Sequence, residues 1–293
     1  MKITVLIAAA AAGDPVAMAL GSVAVQSHTE WEVLVGGPET ASEAESAVRR
    51  FAVGRPGVEF FRFQGVTSAA ATYSRLLGKA TGDAVAFLDP CDVWLPRHLA
   101  IAVQQLSSDA DVIVADARLY DSGQFIAEVP VPKQVATSPL KTLFARDVIP
   151  AKSCVVVRRS IALRAGPFDE QFASGGIRDF LLRLAAVGAR FSATHRSTCR
   201  HSRTTLLPGA RALREAQESC QFYEKHRDFA AIPSALRRRL LAGSLVNQGR
   251  LLRASDPAGA ALCFRRAWAL QPVHVQALGQ YALTEWRLSG PSD

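Results

Sequence analysis

The chain is 293 residues long, 49% hydrophobic and 20% charged, with 34 Lys and Arg against 26 Asp and Glu and a formal net charge of +8. That length holds one large domain or two ordinary ones, and the apolar fraction excludes a disordered or low-complexity chain. No apolar run approaches the roughly 18 to 20 residues of a membrane span. The Arg-rich charge lies late, in stretches rich in Ala and Leu without interleaved aromatics, which speaks against a nucleic-acid partner. Such Arg suits phosphate groups or simply solvated helix faces.

In chain order, the opening apolar run is broken by Gly13-Asp14-Pro15. It therefore reads as a buried strand over 3–8 and not as a cleaved signal. Further strands are predicted over 31–35, 58–63, 84–88, 112–115 and 153–158. Helices are predicted over 15–26, 41–51, 68–80, 97–106 and 179–187. Strands alternating with helices of this length imply an α/β domain with a mostly parallel sheet, helices on both faces, and ligands at the carboxyl ends of the strands. The domain is expected to span 1–205.

Residues 206–293 change character and read as an all-α region, with helices over 210–226, 234–253, 257–270 and 273–287. The spacing of Ala260, Phe264, Ala267 and Pro272 puts small residues and one large one on a helix-pairing face. It resembles one tetratricopeptide repeat that lacks the consensus Trp, Gly and Tyr of its first helix. A single such unit packs on the α/β domain, forms a homodimer contact or docks a protein partner. The five cysteines (Cys91, Cys154, Cys199, Cys220, Cys263) are odd in number and show no CxxC spacing, which points to reduced thiols and a cytoplasmic setting.

The informative stretch is Thr81 to Leu99, where a buried strand ends in Asp89-Pro90-Cys91-Asp92, followed by Val93-Trp94-Leu95-Pro96-Arg97-His98-Leu99. Carboxylates past a strand end can hold a divalent cation through hard oxygen ligands. An Asp before a helix can equally serve as its cap, a role open to Asp92.

This stretch resembles the FLDADDxWxPxHL region of family 2 glycosyltransferases, which have the nucleotide-sugar-binding GT-A fold. Residues 22–35 are similar to the family's SxLxQTxxdwExixV, 68–82 to its aaARNxGlxxAxG helix, 153–160 and 166–170 to ssvvfRRs and GgFDe, and 181–185 to LWLRLA. The resemblance implies transfer of a sugar from a nucleoside diphosphate sugar, usually with inversion. It implies Mn²⁺ or Mg²⁺ held at Asp89 and Asp92, donor contacts from Asp89, Asp92 and His201, and Asp179 as the base on the acceptor hydroxyl. The acceptor could be a glycan, a lipid-linked sugar or a protein.

The departures are as specific as the matches. Cys91 replaces the second Asp of the Asp-x-Asp motif, and soft sulfur is a poor ligand for Mg²⁺. Val35-Gly36-Gly37-Pro38-Glu39 replaces VDDGS, whose Asp contacts the donor base. Tyr73-Ser74 replaces Arg-Asn, and the Glu-Asp pair before Asp179 is absent. Asp179 and Arg183 stand four apart on a helix and can simply pair as ions. Two readings follow: an active transferase with an altered donor site, or a catalytically inactive binding or scaffold protein. A dinucleotide-binding dehydrogenase is a poor third, because no G-x-G-x-x-G turn follows the first strand.

Overall fold

A computed structural model describes residues 1–9, 15–66, 68–172, 176–202 and 208–272. The predicted helix over 273–287 and the Gly13-Asp14 break lie outside the described residues. The chain divides into two compact units, Met1–Thr204 and Thr205–Asp293.

The first unit runs β1 (Ile3–Ala8), α1 (Val16–Ala24), β2 (Trp31–Gly37), α2 (Ser42–Ala52), β3 (Val58–Arg62), α3 (Ala69–Leu77), β4 (Ala84–Leu88), β5 (Val93–Trp94) and α4 (His98–Ser107). It continues through β6 (Val112–Asp121), β7 (Gln124–Val129), α5 (Gln134–Thr137), α6 (Pro139–Ala145), a 3₁₀ turn at Lys152–Cys154, β8 (Val155–Arg158), α7 (Arg159–Ala165), α8 (Ile177–Ala186) and β9 (Phe191–Ser202). Among the described residues nine strands form one sheet in the order β3-β2-β1-β4-β8-β6-β9-β5, with β7 paired to β6.

Pairing is parallel from β3 through β4, as the alternating pattern predicts. Beyond β4 the sheet is mixed: β8 runs antiparallel to both β4 and β6, while β9 is parallel to β6. The carboxyl ends of β1, β2, β3, β4, β6 and β9 therefore share one edge, and the start of β8 arrives at that same edge. Strands β1 and β4 are buried along their whole length, the mark of strands covered on both faces. On one face α1, α2 and α4 bury Val16, Leu20, Val23, Val48, Leu99 and Leu106 against Ile3, Val5 and Ile7. On the other, Tyr73, Phe87, Phe168 and Phe180 form an aromatic cluster with ring centroids 4.3 to 5.9 Å apart.

The second unit contains α9 (Pro208–Lys225), α10 (Ser234–Leu252) and α11 (Pro257–Leu270). Asp256 caps α11, its side chain accepting from the Gly259 N–H at 2.9 Å, with Pro257 at the first helical position. Ala260, Phe264 and Ala267 are fully buried. A Cβ on Gly249 would fall 2.7 Å from the Phe264 ring, so α10 and α11 approach closely at that glycine. Among the described residues no helix is long and apolar enough to cross a membrane. All five cysteines are free thiols.

Candidate active site

The chain leaves β4 through a turn in which the Asp92 N–H donates to the Asp89 carbonyl at 3.0 Å. It then enters β5, which pairs with the end of β9 through Val93 and Arg200. Because β8 is antiparallel to β4, with Ala86 opposite Val156, the residues just before β8 lie beside the residues just after β4. The topology thus gathers Asp89, Asp92, Lys152, Ser153 and His201 at the carboxyl edge of the sheet, where open α/β sheets bind their ligands.

Asp92 is the hub. Its side chain is fully buried, and both oxygens are engaged. Oδ2 accepts from Ser153 Oγ at 2.6 Å, while Oδ1 accepts from the Ser202 N–H at 3.0 Å and from His201 Nδ1 at 3.0 Å. A buried carboxylate survives only with such partners. Burial works against the charged form of His201, but the Asp92 carboxylate overrides it and raises the imidazole above its usual range.

Asp89 is placed differently. Its Oδ2 lies 3.0 Å from Lys152 Nζ, its Oδ1 accepts from the buried Tyr73 hydroxyl at 3.0 Å, and its backbone N–H donates to Ser153 Oγ at 2.9 Å. The Asp89 side chain is 19% exposed and that of Lys152 12%. Burial opposes the Lys152 charge, and Asp89 beside it more than compensates, so the ammonium sits above its ordinary range. The intervening Cys91 thiol is pushed up to about 12, first by burial and then by Asp92 and Asp89. It is a neutral thiol.

Much of the surrounding motif is scaffolding. Trp94 Nε1 donates to the Ser153 carbonyl at 2.7 Å and its ring stacks on His98, whose Nδ1 lies 2.8 Å from Thr198 Oγ1 on β9. Gln26 Nε2 donates to the Leu95 carbonyl at 2.9 Å and its Oε1 accepts from the Leu99 N–H at 3.0 Å. These bonds hold β5 and the Leu95–Leu99 segment that follow the turn carrying Asp89 and Asp92.

The two glycines that replace a donor-base carboxylate lie at the end of β2. A Cβ on Gly37 would meet the Ala9 carbonyl oxygen at 2.6 Å, and one on Gly36 the Phe63 ring at 2.7 Å. The space for side chains there is closed.

Asp89, Asp92 and His201 are thus brought together. Asp179 stands on another element, in the first turn of α8, with its side chain 1% exposed and Arg183 Nε 2.9 Å from its Oδ2. The ion pair expected from their spacing forms. Arg183 also donates to the Pro167 carbonyl at 2.8 Å, which ties α8 to the Gly166-Pro167 turn. Sequence reasoning missed Lys152 and Ser153 as site residues. Their signal is their place immediately before the strand at 155–158, legible only once that strand is known to run antiparallel to β4.

A divalent cation needs several hard oxygens with open lone pairs. Asp92 has its lone pairs committed within the fold, Cys91 offers a neutral thiol, and Asp89 already faces an ammonium. Among the described residues no three His, Cys, Asp or Glu side chains are grouped to coordinate a metal. The geometry of Asp89 and Asp92 does not fit the Mn²⁺ or Mg²⁺ site that the resemblance implies for them.

No curated protein matches the chain. Among solved structures, residues 1–349 of S. aureus TarS in complex with UDP-GlcNAc superpose with a TM-score of 0.66 at 14% identity, covering 99% of this chain and 92% of that one. A mannosyltransferase from Pyrobaculum calidifontis, PcManGT, in complex with GDP-Man and Mn²⁺, gives a TM-score of 0.61 at 18% identity, with 99% and 88% covered. At these identities the likeness shows the shared GT-A fold. The family described as Glycosyl transferase family 2 matches residues 4–165. With more than half of its length inside that match, the chain belongs to glycosyl transferase family 2.

Proposed function

We propose that the chain transfers a glycosyl group from a nucleoside diphosphate sugar to an acceptor hydroxyl, with inversion. The observation that carries this reading is the placement of Asp89 and Lys152, both partly open to solvent, at the carboxyl edge of β4 within the family match. Solved structures of the same fold with UDP-GlcNAc and with GDP-Man support a nucleotide-sugar donor. In the step proposed, the bond from the anomeric carbon to the diphosphate breaks and its electron pair leaves with the nucleotide. A new bond forms from the same carbon to the acceptor oxygen, whose proton passes to a base.

Asp179 enters the proposal as that base. Its pair with Arg183 is the competing role, and Asp179→Asn separates the two. A base gives a loss of turnover with little change in unfolding, whereas a structural pair gives the reverse. The first unit is proposed as the transferase domain. Pair α10–α11 is proposed as a tetratricopeptide-like unit that holds a protein acceptor, a partner or a second copy. The free thiols support a cytoplasmic setting.

The test is calorimetric binding of UDP- and GDP-sugars to the purified full chain, followed by release of free nucleotide with water as the acceptor. Binding of a nucleotide sugar followed by release of its free nucleotide supports the reading. A cooperatively folded chain that binds no nucleotide sugar sinks it in favour of the scaffold role.

A further inference from the structure

Resting on that reading, we propose that Lys152 is the cation that receives the donor's diphosphate, in the place where a divalent metal is expected. Antiparallel β8 delivers Lys152 to the end of β4, and its Nζ stands 3.0 Å from Asp89 Oδ2. A metal bound through Asp89 would bring its positive charge to this spot.

The neighbouring groups agree. Asp92, the other carboxylate of the turn, is consumed by Ser153, His201 and Ser202, and so orients the fold instead of reaching outward. Cys91 between them removes the acid that would complete a metal site. Cys91 and the Lys152 ammonium thus flank the same strand end, one unable to serve as a hard ligand and the other already carrying positive charge. The Lys152 side chain is largely enclosed, 12% exposed, so its charge is screened less than that of a surface lysine. Lysine binds phosphate as a compact point charge, without the fixed fork of arginine. When the sugar leaves, the negative charge that develops on the diphosphate faces this ammonium.

The test is titration of UDP and of GDP into the full chain by calorimetry, first in EDTA and then in Mn²⁺ or Mg²⁺. Lys152→Met and Lys152→Arg are titrated beside the wild type, and thermal unfolding verifies that each variant is folded. The expected result is binding of one nucleotide in EDTA, changed less than about twofold by either metal. Lys152→Met is expected to weaken it at least about tenfold, the scale of a lost charge-assisted hydrogen bond. Lys152→Arg is expected to keep most of it. Wild-type binding that appears only with metal overturns the inference while leaving the transferase reading intact, and needs no variant. Binding in EDTA that Lys152→Met leaves unchanged also overturns it. Absence of nucleotide binding under every condition removes both.

Discussion

His201 Nδ1 lies 3.0 Å from Asp92 Oδ1, joining the end of β9 to the turn after β4 across 109 residues of sequence. With Ser153 and the Ser202 amide on the same carboxylate, Asp92 acts as a fastener between three parts of the sheet. Asp89, three residues earlier in the same turn, has a different role and faces Lys152.

That division predicts different outcomes for the two acids. Asp92→Ala leaves Ser153, His201 and an amide without their buried partner and is expected to cost about 3 kcal/mol in urea unfolding at pH 7. Asp89→Ala, which removes a partly exposed carboxylate, is expected to cost less than that in the same experiment. Equal destabilisation by both would argue against the assignment of roles.

The glycines at the end of β2 yield a second prediction. Gly37→Ala drives a methyl into the Ala9 carbonyl and is expected to destabilise by about 1 to 3 kcal/mol, typical of overpacking. Gly36→Ala meets the edge of the Phe63 ring, so Phe63→Leu in the same chain should recover part of the loss. The same second change should give Gly37→Ala nothing, because its obstacle is backbone. Denaturation midpoints of the four chains check this.

Cys91 is the partly exposed thiol of the set, and the other four are buried. With its pKa pushed up to about 12, the reactive thiolate is scarce at pH 8. The thiolate fraction is about 1,000-fold below that of a model thiol, partly offset by the greater nucleophilicity of a more basic thiolate. Alkylation by iodoacetamide is therefore expected to run about 100-fold slower and to reach the ordinary rate in denaturant. Mass spectrometry at Cys91 reads the rate. Fast labelling in the folded chain would mean that the thiol is ionised and available as a ligand.

Away from the edge, Glu32 ties β2 to β1 and to the start of β4. Thr4 Oγ1 and Thr81 Oγ1 each donate to it at 2.6 Å, and Lys2 pairs with it. Burial pulls its carboxyl upward, but the bonds from Lys2, Thr4 and Thr81 hold it down to about 2, against 4.5 for a free carboxyl. A depressed folded value means stability that is present above 4.5 and lost as the pH falls towards 2. Wild type minus Glu32→Gln, measured by urea unfolding, should therefore shrink across that window and stay level from pH 5 to 7. A difference that does not narrow there contradicts the assignment.

The parallel half of the sheet was readable because β1 and β4 are continuous apolar runs between amphipathic helices. Even Pro257–Leu270 in the second unit follows from its Asp-Pro start and Gln-Pro stop. Strand β9 was not readable: Phe191–Ser202 is mostly polar and half-buried, and pairing with β6 holds it in place instead of its own pattern. His201 was found through the family motif alone. Likewise β5 is two residues long and exists only because β9 is there to pair with it. Several pieces of the resemblance bond to one another, Gln26 to the Leu95–Leu99 turn and Glu32 to Thr81, so they report the scaffold more directly than the chemistry.

The reach of Asp92 also sets an order of assembly. Its partners lie 61, 109 and 110 residues further along the chain, and closures of that span form slowly compared with the local β-α-β contacts of β1 to β4. During synthesis the acids of the turn emerge first and remain without their partners until β9 has been made and docked. The carboxyl edge of the sheet is therefore expected to be the last part of the first unit to mature. A nucleotide bound there, as proposed, would favour chains whose folding is complete and add to their stability by mass action.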